Sequence, residues 1–360
     1  MFDKTFELPL TRDYVRHWGV VEGVRELIQN ALDSDSPFEY EWSENKDGIS
    51  LRITSTYGKL DTKTLLLGST SKADAKDKIG SFGEGYKIAL LVLTRENRPT
   101  TVYNNGVTWH PEFFHSRQFE SEMLRIVEKK DHSGRGKGLS FVVTGITDQE
   151  KENITHMCLN MQRSLGEVIE TSKGQILYDR PGKLYVNGLF VCDIPEFTHG
   201  YNVKPEYLKL ERDRQTVSSF DIKWISKEMW FESERNDEIV KMMDEDIPDM
   251  HYANYGTPEI VKEACYEHFM NNYKGQIIAD DSKELKALVK EGMKVYVGGG
   301  SYGSTVSSNP NYTAKKIALK TPTASLKEWL SANRGNMRTP AIVAFKELIT
   351  ESESWKKSNE

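Results

Sequence analysis

The sequence predicts an α+β chain with more than one domain, and three observations carry this. In the first 150 residues, short segments of alternating apolar and polar character outnumber helical stretches, so strands exceed helices. At 360 residues the chain exceeds one compact domain, which sets two domains as the expectation and leaves three open. Beyond Trp230 the composition turns acidic through Glu232, Glu234, Asp237, Glu238, Asp244, Glu245 and Asp246, which puts a soft boundary between 231 and 256. The expected division is 1–150, 151–235 and 256–350.

Along the first part, Thr5 to Leu8 reads as a strand and Val20 to Ser34 as a helix. Glu39 to Trp42 and Ile49 to Thr54 alternate like paired strands around the turn residues Asn45-Lys46-Asp47-Gly48. A polar, lysine-bearing stretch from Gly58 to Lys78 leads to Gly80-Ser81-Phe82-Gly83-Glu84-Gly85 and an apolar helix to about Leu93. Thr100 to Tyr103, Glu122 to Glu128 and Leu139 to Thr144 read as further strands. A helix is expected from Lys151 to Thr171, then a hairpin over Leu184 to Cys192 turning at Asn187-Gly188. The last segment reads as helices near Pro258 to Tyr273, Lys283 to Glu291 and Ser325 to Asn333. It also holds one strand running into glycines 298 to 300, taken as a loop, and a polar, frayed tail after Thr350.

Composition narrows the function classes. Hydrophobic residues make up 38% and charged residues 28%, an ordinary globular mixture, and no internal repeat is visible. The formal net charge of −6 argues against general attraction to nucleic acid or an anionic membrane. Met1 to Leu10 carries Asp3 and Glu7 without an apolar run, unlike a secretory signal, and nothing approaches the roughly 18 apolar residues of a membrane span. Three separated cysteines, Cys158, Cys192 and Cys265, suggest reduced thiols in a cytoplasmic protein. Scattered histidines argue against a metal cluster.

Two motifs carry chemistry. At about 100° per residue, Glu26, Asn30 and Asp33 fall within roughly 60° of arc, with Val20, Val24, Leu27, Ile28, Ala31 and Leu32 on the other side. Such a line is either a solvated face or one wall of a phosphate site. In the second case an amide oxygen ligates Mg²⁺ and a carboxylate one turn away orients a water. The glycines of 80–85 stand directly before an apolar helix, where the first amides remain free for an anion. The run is neither a Walker loop nor a dinucleotide-binding turn.

Together, about fifty residues apart, these motifs resemble those of a known superfamily. Glu26-Leu27-Ile28-Gln29-Asn30-Ala31-Leu32-Asp33 is similar to the N-box of the GHKL ATPases, the group of gyrase, the ninety-kilodalton heat-shock chaperones, histidine kinases and MutL. Gly80-Ser81-Phe82-Gly83-Glu84-Gly85-Tyr86-Lys87 resembles their second glycine box in its chaperone form, and Leu67-Gly68-Ser69-Thr70-Ser71-Lys72 resembles the start of their ATP lid. Gly134-Arg135-Gly136 resembles the stretch before the chaperones' last sheet strand. The similarity covers about residues 5 to 147.

The resemblance implies a Bergerat-type sandwich, a mixed sheet covered by helices, followed by a smaller α/β segment and a mostly helical C-terminal region. It implies ATP and Mg²⁺ as ligands, with Glu26 activating water and Asn30 holding the metal. Asp33 would line the pocket, while Ser69, Thr70, Lys72, Gly80, Ser81, Phe82, Gly83, Glu84, Gly85, Tyr86 and Lys87 would wrap the nucleotide. The family's first glycine box places an Asp against the adenine amino group. Here Ser55 or a neighbouring threonine stands there, and only Gly58 of those glycines remains. A hydroxyl keeps the hydrogen bond but lacks the charge, a difference of roughly 1 kcal/mol. In Tyr207-Leu208-Lys209-Leu210-Glu211-Arg212-Asp213-Arg214-Gln215, Arg212 is the candidate sensor of the γ-phosphate, and a surface charge cluster is the other reading.

The leading expectation is a slow ATPase that switches conformation or pairs into a nucleotide-dependent homodimer, with residues 1 to 18 as the pairing arm. A nucleotide-sensing scaffold with little hydrolysis is the alternative. A kinase of the histidine-kinase branch is disfavoured by Asp33-Ser34 after the N-box, and direct DNA manipulation by the acidic charge.

Overall fold

Short-range hairpins dominate the first part of the chain. In the computed structural model, which describes residues 3–34, 36–46, 48–66, 84–133, 138–208, 210, 217–279, 282–290, 292–298, 300–313 and 322–357, they build a seven-stranded sheet. Its strands are β1 (Lys4–Thr11), β2 (Glu39–Asn45), β3 (Gly48–Ser55), β4 (Thr100–Asn104), β5 (Val107–Ser116), β6 (Ser121–Lys130) and β7 (Leu139–Ile146), in the order β1-β6-β5-β4-β7-β3-β2. Every recorded pairing is antiparallel, where a mixed sheet was expected. The reason is local: β2–β3, β4–β5 and β5–β6 are each closed by a short turn, which only antiparallel neighbours permit.

The pleat assigns the two faces. Leu51 and Ile53 of β3, Phe141 and Val143 of β7, Val102 of β4 and Trp109 of β5 lie in one continuous core. Helices α1 (Val20–Leu32), α2 (Gly85–Arg95) and α3 (Asp148–Met157) cover that face through Val24, Leu27, Ile28, Ala89, Leu90, Leu93 and Ile154. On the other face Arg52 lies over the Tyr103 ring at 5.1 Å, and Thr54 Oγ1 meets Ser140 Oγ at 3.1 Å. Close packing of α1 on α2 depends on Gly23, where a Cβ would stand 3.2 Å from Leu93 Cγ.

Strand β5 was not anticipated, because Pro111 interrupts its pattern. It is tolerated since pairing with β4 ends at Trp109, two residues earlier. The helix expected over 151–171 is corrected to α3 alone. It starts at a capping box, in which Thr147 Oγ1 accepts from Glu150 N at 3.2 Å and Glu150 Oε2 accepts from Thr147 N at 2.8 Å. It stops at Cys158, whose extended backbone bridges to Leu189.

The chain then forms β8 (Val168–Thr171), β9 (Gly174–Leu177), β10 (Lys183–Val186), β11 (Leu189–Asp193) and β12 (Gly200–Val203), ordered β11-β10-β12-β9-β8 with β10 and β12 parallel. The turn Asn187-Gly188, with φ of 49° and 78°, joins β10 to β11 as its residue types require. Helix α4 (Ser219–Glu232) packs on this sheet through fully buried Trp230, whose Nε1 donates to Tyr201 Oη at 2.8 Å.

Contacts divide the chain into two compact units, Met1–Ser233 and Glu234–Glu360. The second contains α5 (Asn236–Asp244), α6 (Glu259–Asn272), α7 (Ser282–Lys290), α8 (Gly300–Ser308), α9 (Pro322–Asn333), α10 (Thr339–Lys357) and the parallel pair β13 (Ile277–Ile278) and β14 (Val295–Tyr296). Helix α8 begins inside the glycine run read as a loop, and α10 continues through the tail expected to fray. At the centre, the Asp244 carboxylate accepts from Tyr273 Oη at 2.6 Å and Tyr296 Oη at 2.5 Å. That bond, with burial, pushes the Tyr273 phenol up to about 12. Among the described residues no helix is long and apolar enough to cross a membrane.

Gly138, just before β7, stands against the chain leaving β3, and this contact supplies a stability test. Gly138 has φ +76°, and a Cβ there would stand 2.4 Å from Thr56 O, whereas Gly106, at φ +90°, has nothing within 4 Å of its Cβ position. Gly138→Ala should therefore lose about 2–4 kcal/mol, and Gly106→Ala only the left-handed penalty of about 1–2 kcal/mol. Urea unfolding of both variants checks this. Equal losses would mean the loop yields at Gly138.

Candidate functional site

Helix α1 carries the first group of expected residues, and their surroundings differ from a solvated stripe. Glu26 is 2% exposed and Asp33 3%, so the polar line is covered. Gln29 is buried beside them. Arg25 reaches Glu26, with Nη1 at 3.5 Å from Oε1. Burying a carboxylate costs several kcal/mol unless it is partnered, so these positions are tightly specified. Asn30, between the two acids, is half-buried, and its side-chain amide makes no hydrogen bond among the described residues.

At the end of α1 the site meets the sheet. Ser34 Oγ donates to Ala31 O at 2.6 Å and lies 3.4 Å from Ser55 Oγ, at the end of β3. Ser55 is buried, and its carbonyl accepts from Gly58 N at 2.9 Å to close a turn. Tyr57 N donates to Ser36 Oγ at 3.0 Å, tying the loop after β3 to the loop after α1. From β4, Asn104 brackets Leu60, accepting from its N–H at 3.1 Å and donating to its carbonyl at 2.7 Å.

The second group stands at the start of α2, the helix packed beside α1. Glu84 is the residue before its first turn and makes no capping bond through its side chain; Gly85 opens the helix. Tyr86 Oη and Thr64 Oγ1 are 2.8 Å apart. Burial pushes the Tyr86 phenol up to about 12, against the opposing Thr64 bond. Lys87 is fully buried, and its Nζ donates to Thr64 O at 2.8 Å and Leu66 O at 2.5 Å. Burial lowers the ammonium pKa and the Glu84 charge opposes that shift. Donating to both carbonyls, the Lys87 amine clamps the turn of residues 62–66 onto α2.

The fold therefore brings Glu26, Asn30, Asp33 and Ser55 along one helix and the strand end beside it, and sets Glu84, Gly85, Tyr86 and Lys87 on the neighbouring helix. Ser69, Thr70, Lys72, Gly80, Ser81, Phe82, Gly83 and Arg212 lie outside the described residues, as do residues 134–136. Three contributors were not anticipated. Ser34 was read as the last residue of a helix and as a mark against the histidine-kinase branch, not as a contact to β3. Asn104 and Thr64 act over 44 and 22 residues of sequence, distances that leave no local pattern.

No family model matches the chain. An uncharacterized protein of Mycoplasma pneumoniae is 24% identical over 213 residues, which span 56% of this chain and 86% of that protein. Among solved structures, the ATPase and transducer domains of DNA topoisomerase II from Balamuthia mandrillaris overlay with a TM-score of 0.33 at 10% identity, covering 69% of this chain and 74% of that one.

Proposed function

We propose that residues 1–150 form a GHKL-type nucleotide-binding domain that takes Mg-ATP and hydrolyses it slowly to drive a conformational or dimerisation switch. The observation that carries this reading is the amide of Asn30, which has no hydrogen-bond partner among the described residues and is set between buried Glu26 and Asp33 on a helix whose remaining buried residues are mostly apolar. A helix that only filled a core would not bury two carboxylates at one edge. The donor set, one amide oxygen flanked by carboxylates, suits a hard cation such as Mg²⁺. When bound, the metal would neutralise charge on the phosphates.

In this reading Asn30 holds the cation, Glu26 orients and deprotonates a water, and Asp33 with Ser55 lines the base end. Ser69, Thr70, Lys72 and the run Gly80, Ser81, Phe82, Gly83, Glu84, Gly85, Tyr86 and Lys87 surround the phosphates. Arg212, in a second segment over 151–235, stabilises charge on the leaving phosphoryl group, and 256–350 forms the C-terminal domain. Binding with little turnover is the second reading. It draws on Ser55, whose neutral hydroxyl lies 3.4 Å from that of Ser34 and which the resemblance matches to the family's charged adenine acceptor.

Three substitutions test the assignment. Glu26→Gln should cut turnover by about 10²–10⁴-fold while Mg-ATP still binds; wild-type turnover in the variant would remove Glu26 as the base. Asn30→Ala should weaken Mg-ATP in calorimetry but leave metal-free ATP unchanged, and identical Mg-ATP affinity in both proteins would refute the metal role. Ser55→Asp should raise the preference for ATP over GTP, since a carboxylate only accepts hydrogen bonds. A base preference unmoved by this change would mean another residue reads the base.

A further inference from the structure

A concave site lies in the first unit, between α3 and the hairpin β10–β11. Its volume is about 600 Å³, the size of a small-molecule pocket. Local irregularity builds it. The bridge between Cys158 and Leu189 draws β11 under α3, and a bulge after Leu184 leaves Tyr185 paired with Phe190. Their rings stand edge to face at 5.7 Å and 70°, and with Met157 they make an apolar floor.

The rim carries a prepared cation. Arg180 donates to Leu165 O at 2.7 Å, Ser164 O at 3.2 Å and Gln162 Oε1. Gln162 is itself held by donating to His156 O at 2.9 Å. All three acceptors are neutral, and among the described residues no carboxylate pairs with the guanidinium, its neighbour Asp179 included. The charge is thus fixed in place but not cancelled. Lys183 adds a second cation, 5.5 Å over the Phe190 ring and bonded to exposed Asp193 at 2.5 Å.

We propose that this pocket binds a small planar aromatic anion, its ring on Tyr185 and Phe190 and its carboxylate or equivalent group toward Arg180 and Lys183. An aromatic guest extends the edge-to-face pair already present, and an anion supplies the missing countercharge in a charge-assisted bond about twice as strong as a neutral one. Because Arg180 is already held by its neighbours, little side-chain entropy opposes binding. Burial raises the Tyr185 phenol pKa, against the opposing charges of Arg180 and Lys183, so its hydroxyl remains protonated and able to donate. The site rests on residues that play no part in the nucleotide reading, and the two stand or fall separately.

The test is calorimetric or NMR titration of the full chain with naphthalene-2-carboxylate and with neutral naphthalene-2-carboxamide. The carboxylate should bind at least about tenfold tighter, and Arg180→Gln should abolish that preference. Since Arg180 also braces its loop, exposed Lys183 provides a second variant. Lys183→Glu should weaken the carboxylate about threefold to tenfold and leave the carboxamide unchanged. Equal affinity for the two probes, no saturation by the carboxylate, or indifference of the carboxylate to Lys183→Glu would overturn the proposal.

Discussion

The constraint on which most of the first unit depends is the double burial of α1. Its apolar side fills the core through Val24, Leu27 and Ile28, and its polar edge is covered as well, with Glu26 and Asp33 nearly inaccessible. A helix with one buried face can rotate a little at small cost. A helix that also buries two carboxylates cannot, because a misaligned acid forfeits several kcal/mol of compensation. Gly23 against Leu93 then sets its distance from α2. Azimuth and separation together fix where Asn30 points and why Ser34 reaches Ser55.

The rest of the molecule is held by different means. The second sheet is anchored on α4 by the indole of Trp230 hydrogen-bonded to Tyr201, a buried polar contact between helix and strand. The second unit is organised around one carboxylate, Asp244, which two phenols share. The first is a buried polar contact and the second a part-buried one, and each is satisfied by a specific partner, which demands one arrangement of the chain where apolar packing alone would accept several.

Legibility in the sequence followed the range of the interactions. Helix α1, the hairpin β2–β3 and the turn at Asn187-Gly188 depend on periodicity or turn chemistry within a few residues and were readable. The expected helix over 151–171 ran too far because its hydropathy continues past Met157, whereas the stop comes from a bridge to Leu189. Helix α8 was hidden by poor helix formers, Gly300-Ser301-Tyr302-Gly303, and forms because Tyr302 and Val306 are fully buried in the second unit. In the candidate site the residue types and spacing on α1 were plain. The burial of the acids, the Ser34–Ser55 contact and the reach of Asn104 to Leu60 were not, since each is made by tertiary packing.

The buried amine of Lys87 has a topological consequence. It stands in the first turn of α2 and bonds the carbonyl of Leu66, so the chain leaving at Leu66 and the chain returning at Glu84 are pinned at one point. The bond fixes the distance from Leu66 to the first turn of α2, whatever the length of sequence between them. Closure entropy grows only with the logarithm of length, about 0.6 kcal/mol per doubling. Changing the number of residues between 66 and 84 therefore costs little stability so long as Lys87 keeps its bonds to Thr64 and Leu66.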